Sequence, residues 1–266
     1  MSQAPFSRRL LTVTGMDELG AYRVLRVADG GAPEPDPGQF AMLATAHAWG
    51  GGVDERPYLP RAFSIARRRG GESHFLLEDV GPGSRRLCEL QEGEQVWALG
   101  PLGRGFRPPP PRRRALLVGG GAGIAPLAIL QDGLAGEAAA LLGFRDASRA
   151  RGAALLDGAR VATDDGSAGH RGPVTDLLAA EIERDPLALV YACGPAPMLE
   201  AVRALCAQRS IPAQLALEAP MACGFGACYG CAVARRGGGY LRVCVDGPVI
   251  DAGELDHVDP HAGAPA

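Results

Sequence analysis

The sequence predicts a β plus α/β fold: an N-terminal antiparallel β-barrel, a doubly wound parallel sheet, and a small C-terminal cysteine-rich subdomain. Up to residue 108, short apolar runs are separated by Gly, Pro and Asp clusters, as in β-barrels. From residue 115, apolar strands alternate with helical stretches, which is typical of a parallel sheet. Four cysteines then fall within residues 223–244. We therefore predict domains at 1–110, 111–218 and 219–266.

The barrel prediction depends on six runs that alternate partly or are compactly apolar. They are LLTVTGM, AYRVLRVAD, GQFAMLAT, RAFSIARR, ESHFLLEDV and EQVWALGPL. Residues 47–59 are rich in turn formers and predict an exposed loop, and PPPPRRR at 108–114 is a stiff segment suited to a domain boundary.

The second domain is predicted from a change in the spacing of apolar residues after residue 115. Its strands are ALLV, AAALLGFR, GARVATDD, LALVYACG and AQLALEAP, and its helices are PLAILQDGLAG, GPVTDLLAAEIER and PAPMLEAVRALCAQR. Such alternation predicts helices on both faces of an open sheet. The polar tail after Leu255 predicts disorder.

Composition excludes some classes of function. The chain has 266 residues, 47% of them hydrophobic, and a formal net charge of −3, which is typical of a soluble globular protein. The near-neutral charge argues against nucleic acid as the main partner. We see no signal-peptide pattern and no apolar run able to span a bilayer, so we expect a cytoplasmic protein without a membrane segment.

The most specific motif is a set of four cysteines, Cys223, Cys228, Cys231 and Cys244, at the spacing C-x4-C-x2-C-x12-C. The first three share the spacing of plant-type [2Fe-2S] ferredoxins. Three glycines among them suit a loop with positive φ that folds around a cluster. A structural zinc site or a disulfide pair are the alternatives, although zinc ribbons favour two C-x2-C knuckles and this chain has one.

Two further motifs lie in the barrel region. Arg61, Phe63 and Ser64 offer a fork for phosphate, a ring face and a hydroxyl at one strand end, although R-x-F-S alone is a weak signal. Gly83 and Ser84 precede the helical run RRLCEL. A Ser-capped helix start would be an anion site, and an ordinary capped turn is the alternative.

The second domain has two strand-end motifs. Gly121 and Gly123 follow the first strand, and Pro126 stands near the start of the next helix. This turn resembles a dinucleotide site without the third glycine of the usual fingerprint. Cys193 and Gly194 end another core strand, where ligands bind in such sheets, although Cys193 could be merely buried.

In this order, R-x-F-S, G-x-G-x-x-P, C-G-P and E-x-x-M-x-C-G-x-G-x-C-x-x-C resemble the ferredoxin–NADP reductase superfamily. The cysteine motif, directly after the last strand, is similar to that of the electron-transfer subunits of class 1B dihydroorotate dehydrogenase. ALGPLGRGF, ATDDGSAGHRGPVTD and VCVDGPV match the same family. Two features depart from it: the long loop at 47–59 and Ala62, where the family commonly has proline.

The resemblance implies that FAD lies between the barrel and the second domain. It implies that Arg61 contacts the FAD phosphates, that Phe63 packs on the flavin and that Ser64 hydrogen-bonds near flavin N5. Gly83 and Ser84 would support the pyrophosphate. No acid–base dyad is implied, because hydride moves between nicotinamide and flavin.

The resemblance also implies an NAD crevice and a [2Fe-2S] cluster. Gly121, Gly123 and Pro126 would shape the crevice, with Cys193 and Gly194 near the nicotinamide. The four cysteines of the C-terminal motif would bind the cluster.

The resemblance further implies an oxidoreductase subunit of pyrimidine biosynthesis. Its partner would be an FMN-containing catalytic subunit that oxidises dihydroorotate, in a heterotetramer. Rival readings are a subunit of the same build serving a hydrogenase or a ferredoxin:NADP transhydrogenase, and a scaffold whose cysteines hold zinc.

The choice of NAD over NADP depends on charges after two strands. Arg145, Arg149 and Arg151 could meet a 2′-phosphate, whereas Asp146 beside them argues for NAD. The Asp pair at 164–165 could address a ribose or form a solvated turn. We expect NAD.

Overall fold

The computed structural model describes residues 8–47, 49, 59–134 and 138–258. Within these ranges six antiparallel strands close into a barrel in the order β1-β2-β5-β4-β3-β6. The strands are β1 Arg8–Leu19, β2 Tyr22–Ala28, β3 Phe40–Thr45, β4 Arg61–Arg69, β5 Glu72–Glu78 and β6 Gln95–Leu102, and helix α1 Pro82–Cys88 joins β5 to β6.

The barrel forms because alternate residues of its strands are apolar. In β1, Leu11 and Val13 are buried while Leu10 and Thr12 face outward. The inward residues of the other strands, such as Phe75, complete one apolar interior. All six predicted strands are therefore confirmed.

The second part of the chain forms a seven-stranded sheet in the order β10-β9-β8-β7-β11-β12-β15. The strands are β7 Ala115–Gly120, β8 Ala138–Phe144, β9 Arg160–Thr163, β10 His170–Arg171, β11 Leu189–Cys193, β12 Ala213–Ala216 and β15 Val249–Asp251. The first six in this order are parallel, and β15 joins the edge antiparallel. The predicted parallel sheet is confirmed.

Helices cover both faces of this sheet. They are α2 Ala125–Gly133, α3 Ala147–Ala150, α4 Val174–Arg184 and α5 Ala196–Gln208, with 3-10 turns at Gly121–Ile124 and Arg151–Leu155. Successive residues of β7 point to opposite faces, so Leu116 packs in the cluster that contains α4 and α5, and Leu117 packs in the cluster that contains α2. The doubly wound arrangement is confirmed.

The chain after β12 crosses between the two parts. It forms a two-stranded hairpin, β13 Ala232–Ala234 and β14 Tyr240–Arg242, and returns to the sheet as β15. Val243 and Cys244 share a core with Phe40 and Met42 of the barrel. The cysteine segment, residues 221–248, is thus packed against both the barrel and the sheet. The domain boundaries predicted at 110 and 218 remain a proposal.

Two sequence predictions fall largely outside the described residues. These are the loop at 47–59, of which 48 and 50–58 are not described, and the tail, of which 259–266 are not described. Over the residues that are described, none of the helices combines the length and apolarity needed to cross a membrane.

Candidate flavin, nucleotide and cluster sites

The four cysteines of the C-terminal motif come together as two pairs. The Sγ atoms of Cys231 and Cys244 are 3.2 Å apart, and the Cys244 N–H donates to Cys231 Sγ at 3.4 Å. Cys223 and Cys228 are joined by a side-chain hydrogen bond. The first pair is buried, whereas Cys223 is half-buried and Cys228 is exposed. One pair of sulfurs therefore lies inside the protein and the other lies at its surface.

One cysteine of each pair has a shifted pKa, and the two shifts are opposite. Burial raises the pKa of the Cys223 thiol, but hydrogen bonds from the loop, led by the Phe225 N–H, outweigh it and lower the pKa to about 6. Burial raises the pKa of Cys244 to about 12, and neighbouring Cys231 adds to the effect. Because a metal ligand must be a thiolate, Cys244 requires a bound cation to ionise near neutral pH.

Four cysteines match the ligand count of a [2Fe-2S] cluster, which takes two thiolates on each of two irons. Among the described residues, no three Cys, His, Asp or Glu side chains are arranged to hold one metal ion, as a structural zinc site requires of its four ligands.

The loop glycines are required by the backbone. Gly224 and Gly226 have φ of +80° and +89°, and a Cβ on Gly224 would lie 2.5 Å from Met42 Cγ. A side chain at either position would therefore be strained, and it would collide with Met42 of the barrel at Gly224 and with Val245 at Gly226. Gly230 was expected to serve the same purpose, but its φ is not positive. Its neighbour Tyr229 takes the left-handed conformation at +59° instead.

A cleft of about 290 Å³ lies where the barrel, the sheet and the cysteine segment meet. Phe63 and Ser64 of β4 line it from the barrel side, and Gly123 and Cys193 line it from the sheet. The cysteine segment contributes Met221. The structure thus brings part of each motif to this cleft, while four other predicted residues of these motifs are not in its lining: Arg61, Gly121, Pro126 and Gly194.

Arg61 and the glycine turn before α1 are neighbours. A Cβ on Gly83 would lie 2.7 Å from Arg61 Nε, so the absent side chain makes room for the guanidinium. The prediction that Ser84 caps the helix is wrong, because α1 begins at Pro82, whose fixed φ suits a first helical turn. The Ser84 hydroxyl accepts from the Val80 N–H at 3.0 Å and donates to the Gly81 carbonyl at 3.1 Å.

The glycines of the sheet turn have different surroundings. Gly121 has φ +55° and open space where a Cβ would stand, and it lines a crevice of about 610 Å³. A Cβ on Gly123 would lie 2.6 Å from the backbone of Cys193, so this glycine permits two strand ends to touch. Pro126 is buried in the first turn of α2. Gly194 has φ +158°, and a Cβ there would lie 3.0 Å from the backbone of Gly120.

The larger crevice has charged walls. Arg145, Arg149 and Asp164 line it from the sheet, and Glu78 lines it from the barrel. Asp165 turns away, because its carboxylate accepts from the Ser167 N–H at 2.9 Å and hydroxyl at 2.6 Å. The structure separates the pair of aspartates: one faces the crevice and the other forms the turn.

Sequence reasoning gave no role to Glu218. Its side chain opens into the smaller cleft, where desolvation by the surrounding protein raises its pKa. Burial first, and the Glu218 charge second, raise the pKa of the Cys193 thiol well above its usual value. The position of Glu218 in the sequence could have indicated that it lies at the site. It comes shortly after β12, as Gly194 comes after β11, at the ligand-binding edge of the sheet.

Comparisons with known proteins agree with this architecture. The family model for the iron-sulfur cluster binding domain of dihydroorotate dehydrogenase B matches residues 218–256. The chain is 34% identical over 244 residues to the dihydroorotate dehydrogenase B (NAD(+)) electron transfer subunit of Clostridium acetobutylicum, covering 88% of this chain and 94% of that protein. It is 39% identical over 235 residues to the subunit of the same name from Geobacillus thermodenitrificans, covering 83% and 86%.

Solved structures show the same fold. An NADH-dependent reduced ferredoxin-NADP oxidoreductase aligns with a TM-score of 0.78 at 24% identity, covering 94% of this chain and 90% of that one. A ferredoxin reductase of carbazole 1,9a-dioxygenase aligns with a TM-score of 0.67 at 22% identity, covering 79% and 68%.

The fold is the one seen in ferredoxin reductases, and residues 218–256 match an iron-sulfur cluster binding domain. Within that class, the chain belongs to the family of electron transfer subunits of dihydroorotate dehydrogenase B.

Proposed function

We propose that this chain passes electrons between NAD and an FMN-containing partner subunit that oxidises dihydroorotate in pyrimidine biosynthesis. The observation that carries the proposal is the smaller cleft of about 290 Å³, which is lined by residues of the barrel, the sheet and the cysteine segment. A redox group held there would contact the nucleotide-binding sheet and, at Met221, the segment that carries the four cysteines.

The flavin-binding residues in this proposal come from the barrel. Arg61 binds the FAD phosphates, Phe63 packs on the ring and Ser64 donates a hydrogen bond near N5, while Gly83 and Ser84 border the pyrophosphate. The closeness of Arg61 to Gly83 supports a shared phosphate site. Bound FAD supplies the exchange between two-electron hydride chemistry and one-electron transfer.

The nucleotide-binding residues come from the sheet. Gly121, Gly123 and Pro126 shape the crevice that takes NAD, and Cys193 and Gly194 border the nicotinamide. The open space at Gly121 and the tight contact of Gly123 with Cys193 support these assignments. What the chain contributes to hydride transfer is orientation in a site that excludes water.

The four cysteines of the C-terminal motif hold the [2Fe-2S] cluster and form the exit toward the partner. Their two pairs, one exposed at Cys228, support a cluster that lies near the surface. We further propose that this chain and its partner form a heterotetramer in the cytoplasm. The three cysteines outside the motif, Cys88, Cys193 and Cys206, form no disulfide, which agrees with a reducing compartment.

The second candidate is a subunit of the same build that serves a hydrogenase or a ferredoxin:NADP transhydrogenase. A TM-score of 0.78 to the NADH-dependent reduced ferredoxin-NADP oxidoreductase favours it, but at 24% identity this likeness concerns the fold. The relatives at 34–39% identity favour dihydroorotate dehydrogenase.

The test is anaerobic co-expression with the FMN-containing catalytic subunit of a dihydroorotate dehydrogenase. We expect a stable complex, stoichiometric FAD, iron and labile sulfide in this chain, and NADH formation from dihydroorotate and NAD+. A colourless chain without iron would overturn the proposal. A flavin- and iron-loaded chain that reduces ferredoxin but does not bind the FMN subunit would favour the second candidate.

A further inference from the structure

An ion-paired arginine joins the barrel to the sheet at the wall of the larger crevice. Arg149 Nε donates to Glu78 Oε1 at 3.0 Å, and its Nη2 lies 2.9 Å from the same oxygen. On its other side, Nη1 donates to Asp146 Oδ2 at 2.8 Å. Glu78 belongs to β5 of the barrel, whereas Arg149 lies in α3 of the nucleotide-binding part. A residue of the flavin-binding barrel thus controls a charge at the nucleotide crevice.

The local geometry fixes Arg149 between its two carboxylates. Asp146 caps α3, since its Oδ1 accepts from the Arg149 N–H at 3.0 Å. That backbone hydrogen bond is the first cause of the lowered pKa of Asp146, which keeps the carboxylate charged. Bidentate and charge-assisted contacts of this kind hold a guanidinium in one orientation. The positive charge of Arg149 is therefore compensated by protein groups in the absence of a ligand.

The charged residues that line the crevice are two acids, Glu78 and Asp164, and two bases, Arg145 and Arg149. Asp146 lies outside this lining and pairs with Arg149, so Arg149 is compensated by two carboxylates. In nucleotide-binding sheets, acidic groups at this edge suit the free 2′-hydroxyl of NAD, whereas a free arginine suits the 2′-phosphate of NADP. The sequence alone, with its three arginines after β8, does not show which of them is available.

We propose that Glu78 is a positioning residue that sets coenzyme selectivity: it holds Arg149 in a compensated pair, so that the crevice takes NAD and disfavours a 2′-phosphate. This proposal rests on the proposed function, because it requires that the larger crevice binds a dinucleotide. It adds that selectivity is set across the interface between the two parts, by a barrel residue outside the nucleotide-binding sheet.

Two variants break the same ion pair and are expected to act in opposite directions. Glu78→Gln removes one of the two carboxylates that compensate Arg149 and should lower the preference for NAD+ over NADP+ by roughly three- to tenfold. Arg149→Gln leaves two carboxylates uncompensated and should raise that preference by a similar factor. The readouts are Kd values for NAD+ and NADP+ from titration calorimetry, and kcat/KM for NADH and NADPH with an artificial acceptor.

Two controls separate selectivity from structure. Glu78→Asp keeps the charge and should retain most of the wild-type preference. Asp132→Asn breaks a second ion pair between α2 and the barrel, in which Asp132 contacts Arg67 at 2.8 Å and Arg69 at 3.1 Å outside both cavities. It should leave the ratio of the two Kd values unchanged.

If the Glu78–Arg149 ion pair only held the barrel and the sheet together, the expected result would be different. Both Glu78→Gln and Arg149→Gln would then weaken the two coenzymes equally, and an unchanged ratio, or a shift in the same direction, would overturn the selectivity proposal. A wild-type protein that binds NADP+ more tightly than NAD+ would also overturn it. A flavin-loaded wild type that binds neither coenzyme would instead refute the proposed function.

Discussion

The smaller cleft and the larger crevice treat charge in opposite ways. In the smaller cleft, desolvation by the surrounding protein raises the pKa of the buried Cys193 and of Glu218, whose residue surface is exposed. In the larger crevice, charges are compensated by ion pairs, as Arg149 is by Glu78 and Asp146. The difference suits a cleft where hydride is transferred beside a flat ring and a crevice that selects a charged coenzyme.

The cavities also differ in what builds their walls. The cysteine segment lines the smaller cleft through Met221, whereas the larger crevice is lined by the barrel and the sheet. Damage to the cysteines should therefore affect electron exit and spare coenzyme binding. This separation of electron exit from coenzyme binding can be tested by mutating a single cysteine.

The largest effect is expected for Cys228→Ser. We expect dihydroorotate-dependent NADH formation by the complex to fall by on the order of a hundredfold, because a cluster ligand is lost. NADH oxidation with an artificial acceptor should stay near wild type. Both activities are measured by NADH absorbance, with iron analysis on the same sample.

The matched control is Cys88→Ser, a half-buried thiol outside the motif, which should change neither activity. If Cys228→Ser abolishes both activities while FAD is retained, electron exit through the cysteines and NADH oxidation are not separate functions.

A smaller effect is expected for Glu218→Gln in the smaller cleft. Because the folded protein raises the pKa of this carboxyl, ionisation on going to higher pH destabilises the fold. We expect the variant to exceed wild type by about 0.5 kcal/mol in free energy of unfolding at about pH 8, an amount already reduced for solvent access. The advantage should vanish below the ordinary pKa of 4.5.

Urea unfolding of the two proteins across this pH range measures the difference. Equal stability at high pH would show that the cleft does not desolvate Glu218.

The smallest effects are expected at the paired aspartates of the larger crevice. Asp164→Asn should weaken NAD+ binding by roughly threefold, since this side chain faces the crevice. Asp165→Asn should leave binding unchanged and slightly lower the Tm, because that carboxylate serves the turn at Ser167. Calorimetric titration and thermal unfolding check the pair, and equal losses of NAD+ affinity would contradict the assignment.

Much of the fold could be predicted because its signals are local. Strand and helix periods, the glycine turns and the spacing of Cys223, Cys228 and Cys231 depend on residues a few positions apart. The contact of Cys244 with Cys231 depends on the β13–β14 hairpin, which the spacing of the cysteines does not show. The cap at Ser84 was predicted wrongly because a serine and a proline near one helix start compete for its first position.

Apolar periods and turn residues act on their own neighbours, so the barrel, the doubly wound sheet and the cysteine motif can be recognised from the sequence. Tertiary packing instead brings Glu218 to the smaller cleft, returns β15 to the sheet and pairs Glu78 of the barrel with Arg149. The physical reason is distance along the chain. Such contacts form between segments far apart in sequence, and only the packing of the barrel against the sheet brings them together.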